Sequence, residues 1–175
     1  MPHVIEPAAS GRAKCRGCGR PLPKGELRFG EALPNPFAEG EMRFWYHLEC
    51  AAYKRPEAFL EALEAPEPRF EERQRLEREA RKGVDYRRLP RIDGAERSPS
   101  ERARCRSCRE PIAKGDWRIR LVFNEEGRFN PSGFIHVGCV AAYLETTDVL
   151  ERVLRFSSDL GEEEVRSLRE ALQLT

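Results

Sequence analysis

The chain has 175 residues, 35% of them charged and 39% hydrophobic, with a formal net charge of +1 at pH 7. So small a net charge neither favours nor excludes a nucleic-acid partner, and no apolar run approaches the ~20 residues that a membrane helix needs. With no basic-then-apolar leader, the expected compartment is the cytoplasm or nucleoid of a bacterium, or a eukaryotic nucleus, where paired cysteines bind metal more often than each other.

In chain order, residues 1–7 read as a frayed terminus, with His3 outside any pattern. Glu26 to Phe29 reads as a short strand after Pro21, Pro23 and Gly25, and Pro34, Asn35, Pro36 and Gly40 mark a loop. A second strand is predicted over Arg43 to Tyr46, ending on His47, and a short helix opens at Cys50. Pro66 and Pro68 divide the stretch after it into helices near 57–63 and 70–82. Gly83, Pro90, Gly94 and Pro99 among charges suggest a linker. Beyond it come a strand from Trp117 to Phe123, a loop from Asn124 to Gly127 and a strand from Gly133 to His136. A helix from Val140 towards Arg155 and a final amphipathic helix on Val165, Leu168, Leu172 and Leu174 close the pattern.

The second half repeats the first. SGRAKCRGCGRPLPKGELR at 10–28 and SERARCRSCREPIAKGDWR at 100–118 keep Ser, Arg, Ala, Cys-Arg-x-Cys, Pro, Lys-Gly and Arg at a constant offset of 90. Two small domains are expected, at 8–82 and 98–175 with a linker over 83–97, each α+β: a short antiparallel sheet with helices. Cores this small need an added staple.

The cysteines supply one. Cys15-x2-Cys18 is followed after 28 residues by His47-x2-Cys50, and Cys105-x2-Cys108 after 27 by His136-x2-Cys139. All six cysteines fall into these two sets, so neither a thiol-redox pair nor packing cysteines explains the pattern as well as two Cys3His zinc sites. Four protein ligands leave no open position for water, so both ions are expected to be structural. Basic residues crowd the two knuckles: Arg12, Lys14, Arg16, Arg20, Lys24 and Arg28 in the first, Arg102, Arg104, Arg106, Arg109, Lys114, Arg118 and Arg120 in the second.

Ser10-Gly11-Arg12, the first Cys pair, Leu22, Lys24-Gly25, Arg28 and Trp45-Tyr46-His47-x2-Cys50 together resemble the zinc finger of poly(ADP-ribose) polymerase, also found in DNA ligase III. The second copy resembles it through Arg102, Cys105, Cys108, Ile112, Lys114-Gly115, Arg118, His136 and Cys139, and departs at Phe134-Ile135, where the family has Trp-Tyr. What the resemblance implies is DNA binding at nicks, gaps or ends, in repair or damage sensing, beside a repair enzyme as possible partner. Phosphate contacts would then come from Arg12, Lys14, Arg16 and Arg28 in copy one and Arg102, Arg104 and Arg118 in copy two. Phe37 and Met42 would stack on the base pair exposed at a break, as would Phe129, with Phe123 as the alternative.

Plainer roles stand beside these. Each arginine could be a solvated charge and each phenylalanine a core residue, while Phe44, Trp45, Tyr46 and Trp117 read as core packed around the knuckles. Acidic stretches at 57–79 and 145–170 fit a zinc-stapled protein-interaction scaffold, and loop aromatics fit a single-strand or RNA binder. No GxSxG or phosphate loop frames a catalytic group, and no Cys or His apart from His3 is left outside the metal sets, so no enzyme is expected. Oligomeric state is not legible.

Overall fold

The structure, a computed structural model, describes residues 2–173, so Met1 and the apolar position Leu174 lie outside the described residues. It divides into two compact units, Met1–Asp85 and Tyr86–Thr175.

In the first unit, β1 (Val4–Pro7), β2 (Leu27–Pro34) and β3 (Glu41–His47) form an antiparallel sheet in that order. Three helices follow: α1 (Leu48–Lys54), α2 (Pro56–Ala62) and α3 (Arg73–Asp85). Pro56 starts α2 where its missing N–H costs nothing, and α3 buries Leu76, Ala80 and Gly83 along one stripe. Phe29 centres the core, its ring edge-on to Phe59 at 5.8 Å and tilted on Tyr46 at 6.0 Å. Leu22, Tyr53 and Leu76 are buried with them.

The first residues are not frayed. Val4–Pro7 pairs with Gly30 to Leu27, which gives the short apolar Val4-Ile5 pair a strand to lie on. The Ala32 amide donates to His3 Nδ1 at 3.0 Å, and His3 Nε2 meets Glu61 Oε2 at 3.0 Å, so His3 ties the sheet edge to α2.

The second unit repeats the plan: β4 (Ile92–Arg97), β5 (Trp117–Glu125) and β6 (Arg128–His136), again antiparallel and in order, with α4 (Val140–Leu144), α5 (Leu150–Arg155) and α6 (Glu162–Gln173). Its core holds Leu89, Ile92, Ile112, Ile119, Leu121, Ile135, Val153 and Leu168. Four expectations are corrected here. Residues 83–97 are no linker, since they hold the end of α3, a 3-10 turn at Leu89–Arg91 and β4. Gly94, read as a breaker, sits where the β4–β5 register shifts; its φ is +93°, and a Cβ there would lie 2.0 Å from the Phe156 carbonyl oxygen. The helix expected from Val140 to Arg155 is two helices, because Glu145 turns left-handed at φ 65° after Leu144. Finally, β6 begins at Arg128 rather than Gly133, as a two-residue turn at Glu126 and Gly127, both with positive φ, closes the hairpin tightly.

Candidate metal centres and nucleic-acid interface

The two sheets place the metal ligands identically. Each Cys-x2-Cys knuckle hangs beside the last strand, the Arg16 amide donating to the Trp45 carbonyl at 2.9 Å and the Arg106 amide to that of Phe134 at 2.8 Å. That strand ends on the histidine, and the helical turn after it carries the last cysteine. The donor atoms of Cys15, Cys18, His47 and Cys50 lie within 4.8 Å of one another, as do those of Cys105, Cys108, His136 and Cys139.

The donor sets fit zinc. Tetrahedral zinc–sulfur and zinc–nitrogen bonds of about 2.3 and 2.0 Å put sulfur and nitrogen about 3.5 Å apart. His47 Nδ1 lies 3.3 Å from Cys18 Sγ and 3.9 Å from Cys50 Sγ; His136 Nδ1 lies 3.4 Å from Cys108 Sγ and 3.8 Å from Cys139 Sγ. Each histidine's Nε2–H donates to a proline carbonyl, that of Pro21 or Pro111, at 3.1 Å, which leaves Nδ1 to face the ion. Backbone amides supply the sulfurs with donors: Gly17 and His47 to Cys15 Sγ at 3.3 and 3.4 Å, Ser107 and His136 to Cys105 Sγ at 3.3 Å each. Each unit therefore holds one structural zinc ion in a Cys3His site.

Thiol and imidazole proton affinities record this gathered negative charge. Hydrogen bonds from Cys15 and Cys50 hold the Cys18 thiol well below the usual thiol range. Cys15 and Cys18 push His47 up to about 9. Burial pushes the Cys105 thiol up, but amides of Cys108, His136 and Ser107 outweigh it and bring it down to about 6. Cys139 is pushed up to about 12, by burial and then by the neighbouring Cys105 and Cys108. A divalent cation resolves this competition for protons. The second site is the more open, with Cys108 exposed where its counterpart Cys18 is half-buried.

Register explains where the paired arginines go. Arg28 lies opposite His47 on the sheet and Arg118 opposite His136. Both are scarcely exposed, with side chains 9% and 8% accessible. Their guanidiniums stack at 3.5 Å on Trp45 and Phe134, the residues two and two positions before the histidine ligands. Gly30 makes this possible in the first unit, since a Cβ there would come within 2.7 Å of the Trp45 ring.

Beyond the stacks the copies diverge. Arg118 is engaged through all three nitrogens: Nε and Nη2 donate to Glu96 at 3.1 and 2.5 Å, and Nη1 donates to Ser98 Oγ at 3.3 Å. Arg120 adds a 3.0 Å bond to the same carboxylate. Burial pushes Glu96 up, but the donors on Arg118 and Arg120 outweigh it and hold its carboxyl below the usual range. Arg28 has only Glu6 Oε1 at 3.7 Å, and its buried Nε has no hydrogen-bond partner among the described residues. Glu6 and Glu96 stand 90 positions apart, the offset of the repeat, and that spacing was the overlooked signal that the repeat starts before Ser10.

The remaining basic candidates, Arg12, Lys14, Arg16, Arg102 and Arg104, are exposed. Arg16 rests on the Phe44 ring at 3.9 Å. Arg106, in the matching position, runs along Gly133, where a Cβ would meet its side chain at 3.0 Å.

The aromatic candidates separate sharply. Phe37 is 89% exposed, in the loop between β2 and β3, where the Asn35 side chain accepts its amide at 2.9 Å. Met42 is half-buried on β3 opposite Leu33, near the loop's base. Phe129 is not on a loop: the tight turn puts it on β6 opposite Asn124, half-buried. Phe123 is 46% exposed on β5, with the Arg91 guanidinium 5.6 Å from its ring centre. Phe44, Tyr46 and Trp117 are core residues as expected, whereas Trp45 is only half-buried beneath Arg28. Three buried charges escaped the sequence reading: Glu31, clamped by Arg55 at 2.6–3.0 Å, Lys54 and Arg152. Among the described residues no helix is long and apolar enough to cross a membrane.

Residues 6–87 match the family described as the poly(ADP-ribose) polymerase and DNA-ligase Zn-finger region. The chain is 28% identical over 162 residues to a poly [ADP-ribose] polymerase of Sarcophaga peregrina, covering 81% of this chain and 16% of that protein. It is 28% identical over 133 residues to poly [ADP-ribose] polymerase 1 of Gallus gallus, covering 67% of this chain and 13% of the relative. With the Caenorhabditis elegans enzyme of that name it shares 36% identity over 50 residues, 29% of this chain and 5% of that one. The chain thus spans under a fifth of the length of these relatives. Residues 6–87 are a zinc finger of the poly(ADP-ribose) polymerase and DNA-ligase type, and the second unit repeats its Cys3His ligand set and its sheet.

Proposed function

We propose that this chain binds DNA at strand breaks, with the first unit recognising the break and the second adding affinity for phosphate. It carries no chemistry of its own and serves damage sensing or repair, in a nucleus or a bacterial nucleoid, by marking a break for a repair enzyme. The observation that carries the proposal is Phe37, a large apolar side chain 89% exposed at a loop tip. Exposed aromatics are costly in water and useful against a flat apolar face. Intact duplex hides such faces between stacked pairs, and a break uncovers one.

The chemistry around Phe37 supports the same reading. Met42 gives the loop base a second apolar side chain. Arg12, Lys14 and Arg16 are exposed cations on the same unit, suited to salt-dependent phosphate contacts. Arg28 offers a rigid guanidinium stacked on Trp45 and only loosely engaged by Glu6 at 3.7 Å, so its positive charge is left to favour a phosphate beside this sheet. In the second unit Arg102 and Arg104 remain for phosphate, while Arg118 is already engaged by Glu96 and Ser98. Two modest sites on one chain gain affinity through effective concentration.

Binding of the zinc-loaded chain to nicked, blunt-ended, closed-circular and single-stranded DNA across a salt series tests the proposal. Nicked or blunt duplex should bind at least several-fold tighter than closed circle, with affinity falling as salt rises. Equal affinity for nicked and closed circles would remove break recognition. Preference for single strands would favour base stacking without a duplex, and no binding at low salt would favour a protein-docking role.

A further inference from the structure

Lys54 is a buried lysine beside the first metal site, and none of the roles above uses it. It ends α1, four residues after the ligand Cys50 and therefore on the same helix face. Only 3% of its surface is accessible. Its Nζ donates to the Gly17 carbonyl at 2.8 Å. Gly17 lies between the first two ligands of the knuckle, and its own N–H donates to Cys15 Sγ at 3.3 Å. The peptide is wedged in place: a Cβ on Gly17 would meet Cys50 Cβ at 3.0 Å, the Tyr46 ring at 3.5 Å and Cys15 Sγ at 3.6 Å.

Three thiolates and a neutral histidine around a divalent ion sum to one negative charge, and burying that charge is costly without a counter-ion. A lysine ammonium supplies one opposite charge. By holding the Gly17 carbonyl it also fixes in place the residue whose own N–H, on the preceding peptide, donates to the Cys15 thiolate. The second unit has no lysine at the matching position. Ser107 replaces Gly17, and the residue seven after His136 is Tyr143, as Lys54 is seven after His47; the Tyr143 hydroxyl instead takes a bond from Arg91 at 3.2 Å, beneath the Arg88 guanidinium.

We infer that Lys54 is a positioning residue for the first zinc site, a buried counter-charge that holds the Cys15–Cys18 knuckle in its metal-binding form and makes this site the slower of the two to release zinc. The inference concerns metal retention and stands whether or not the chain binds DNA.

Zinc release to a chromophoric chelator from the full, doubly loaded chain tests it, with backbone amide NMR signals of the two knuckles reporting which site empties. In the wild-type chain the second site should empty first. The same rate at both, or faster loss from the first, would overturn the inference without recourse to any variant. Lys54→Met should speed release from the first site roughly tenfold or more, within the range seen when outer-shell partners of metal ligands are removed, and leave the second site unchanged. Lys54→Arg should recover much of the loss, because it keeps the charge and a donor. Equal acceleration by Met and Arg would reduce Lys54 to packing, and wild-type release from Lys54→Met would dismiss it.

Discussion

The same sheet ends differently in the two units. Between β2 and β3 the chain runs through a loop from Asn35 to Gly40 that lifts Phe37 into solvent, whereas β5 and β6 meet in a two-residue turn and Phe129 returns into the sheet. The metal sites, the strand order and the stacked arginine are shared; the tip is not. A metal-stapled scaffold can hold its ligands fixed while the hairpin opposite changes length, because the zinc knuckle sits at the other end of the last strand from the tip. The difference teaches that the ligand repeat reports the fold, and the hairpin tip must be read separately for function.

Zinc removal should produce the largest effect and tests what the units share. Structural zinc of this kind contributes an apparent ~10–16 kcal/mol, so chelation should unfold both units, visible as loss of helical circular dichroism and collapse of amide dispersion. Survival of either unit without metal would break the equivalence of the two sites.

A smaller effect separates the arginine stacks. Glu96→Gln removes the carboxylate that two arginines share and should cost about 2 kcal/mol at neutral pH, read as a lower denaturation midpoint of the second unit. Glu6→Gln should cost well under about 1 kcal/mol, since Glu6 is half exposed and 3.7 Å from Arg28. The sign with pH follows from the lowered Glu96 carboxyl. Its contribution is fully present above the ordinary glutamate value near 4.5 and is lost as pH falls through the lower folded value. The gap between wild type and Glu96→Gln should therefore close below about pH 4. A gap that persisted unchanged at pH 3 would mean the network is held by packing rather than charge.

Much of this was legible in the residues. Metal ligands announce themselves through spacing, since Cys-x2-Cys and His-x2-Cys are chemically constrained. Phe37 was placed correctly because Pro34, Asn35, Pro36 and Gly40 leave no choice but a loop. What stayed hidden depends on contacts between distant segments. Gly94 looks like a breaker in one dimension and is a strand bulge in three, required by the Phe156 carbonyl. Arg28 and Arg118 look like surface charges until the strand register sets them on Trp45 and Phe134. The short turn after Glu125 was masked because Asn124 and Gly127 signal a turn without giving its length. Lys54 showed nothing of its burial, as a lysine at a helix end is ordinarily solvated.

The central claim is that break recognition resides in the Phe37 loop. Its most direct test compares nicked with closed-circular DNA for the wild-type chain, Phe37→Ala and Phe129→Ala at one salt concentration. A stacked aromatic is worth about 1–3 kcal/mol, so Phe37→Ala should lower the nick preference by roughly tenfold while closed-circle binding stays nearly unchanged. Phe129→Ala should leave the preference intact. A nick preference that survived Phe37→Ala, or that was lost in Phe129→Ala instead, would contradict the account.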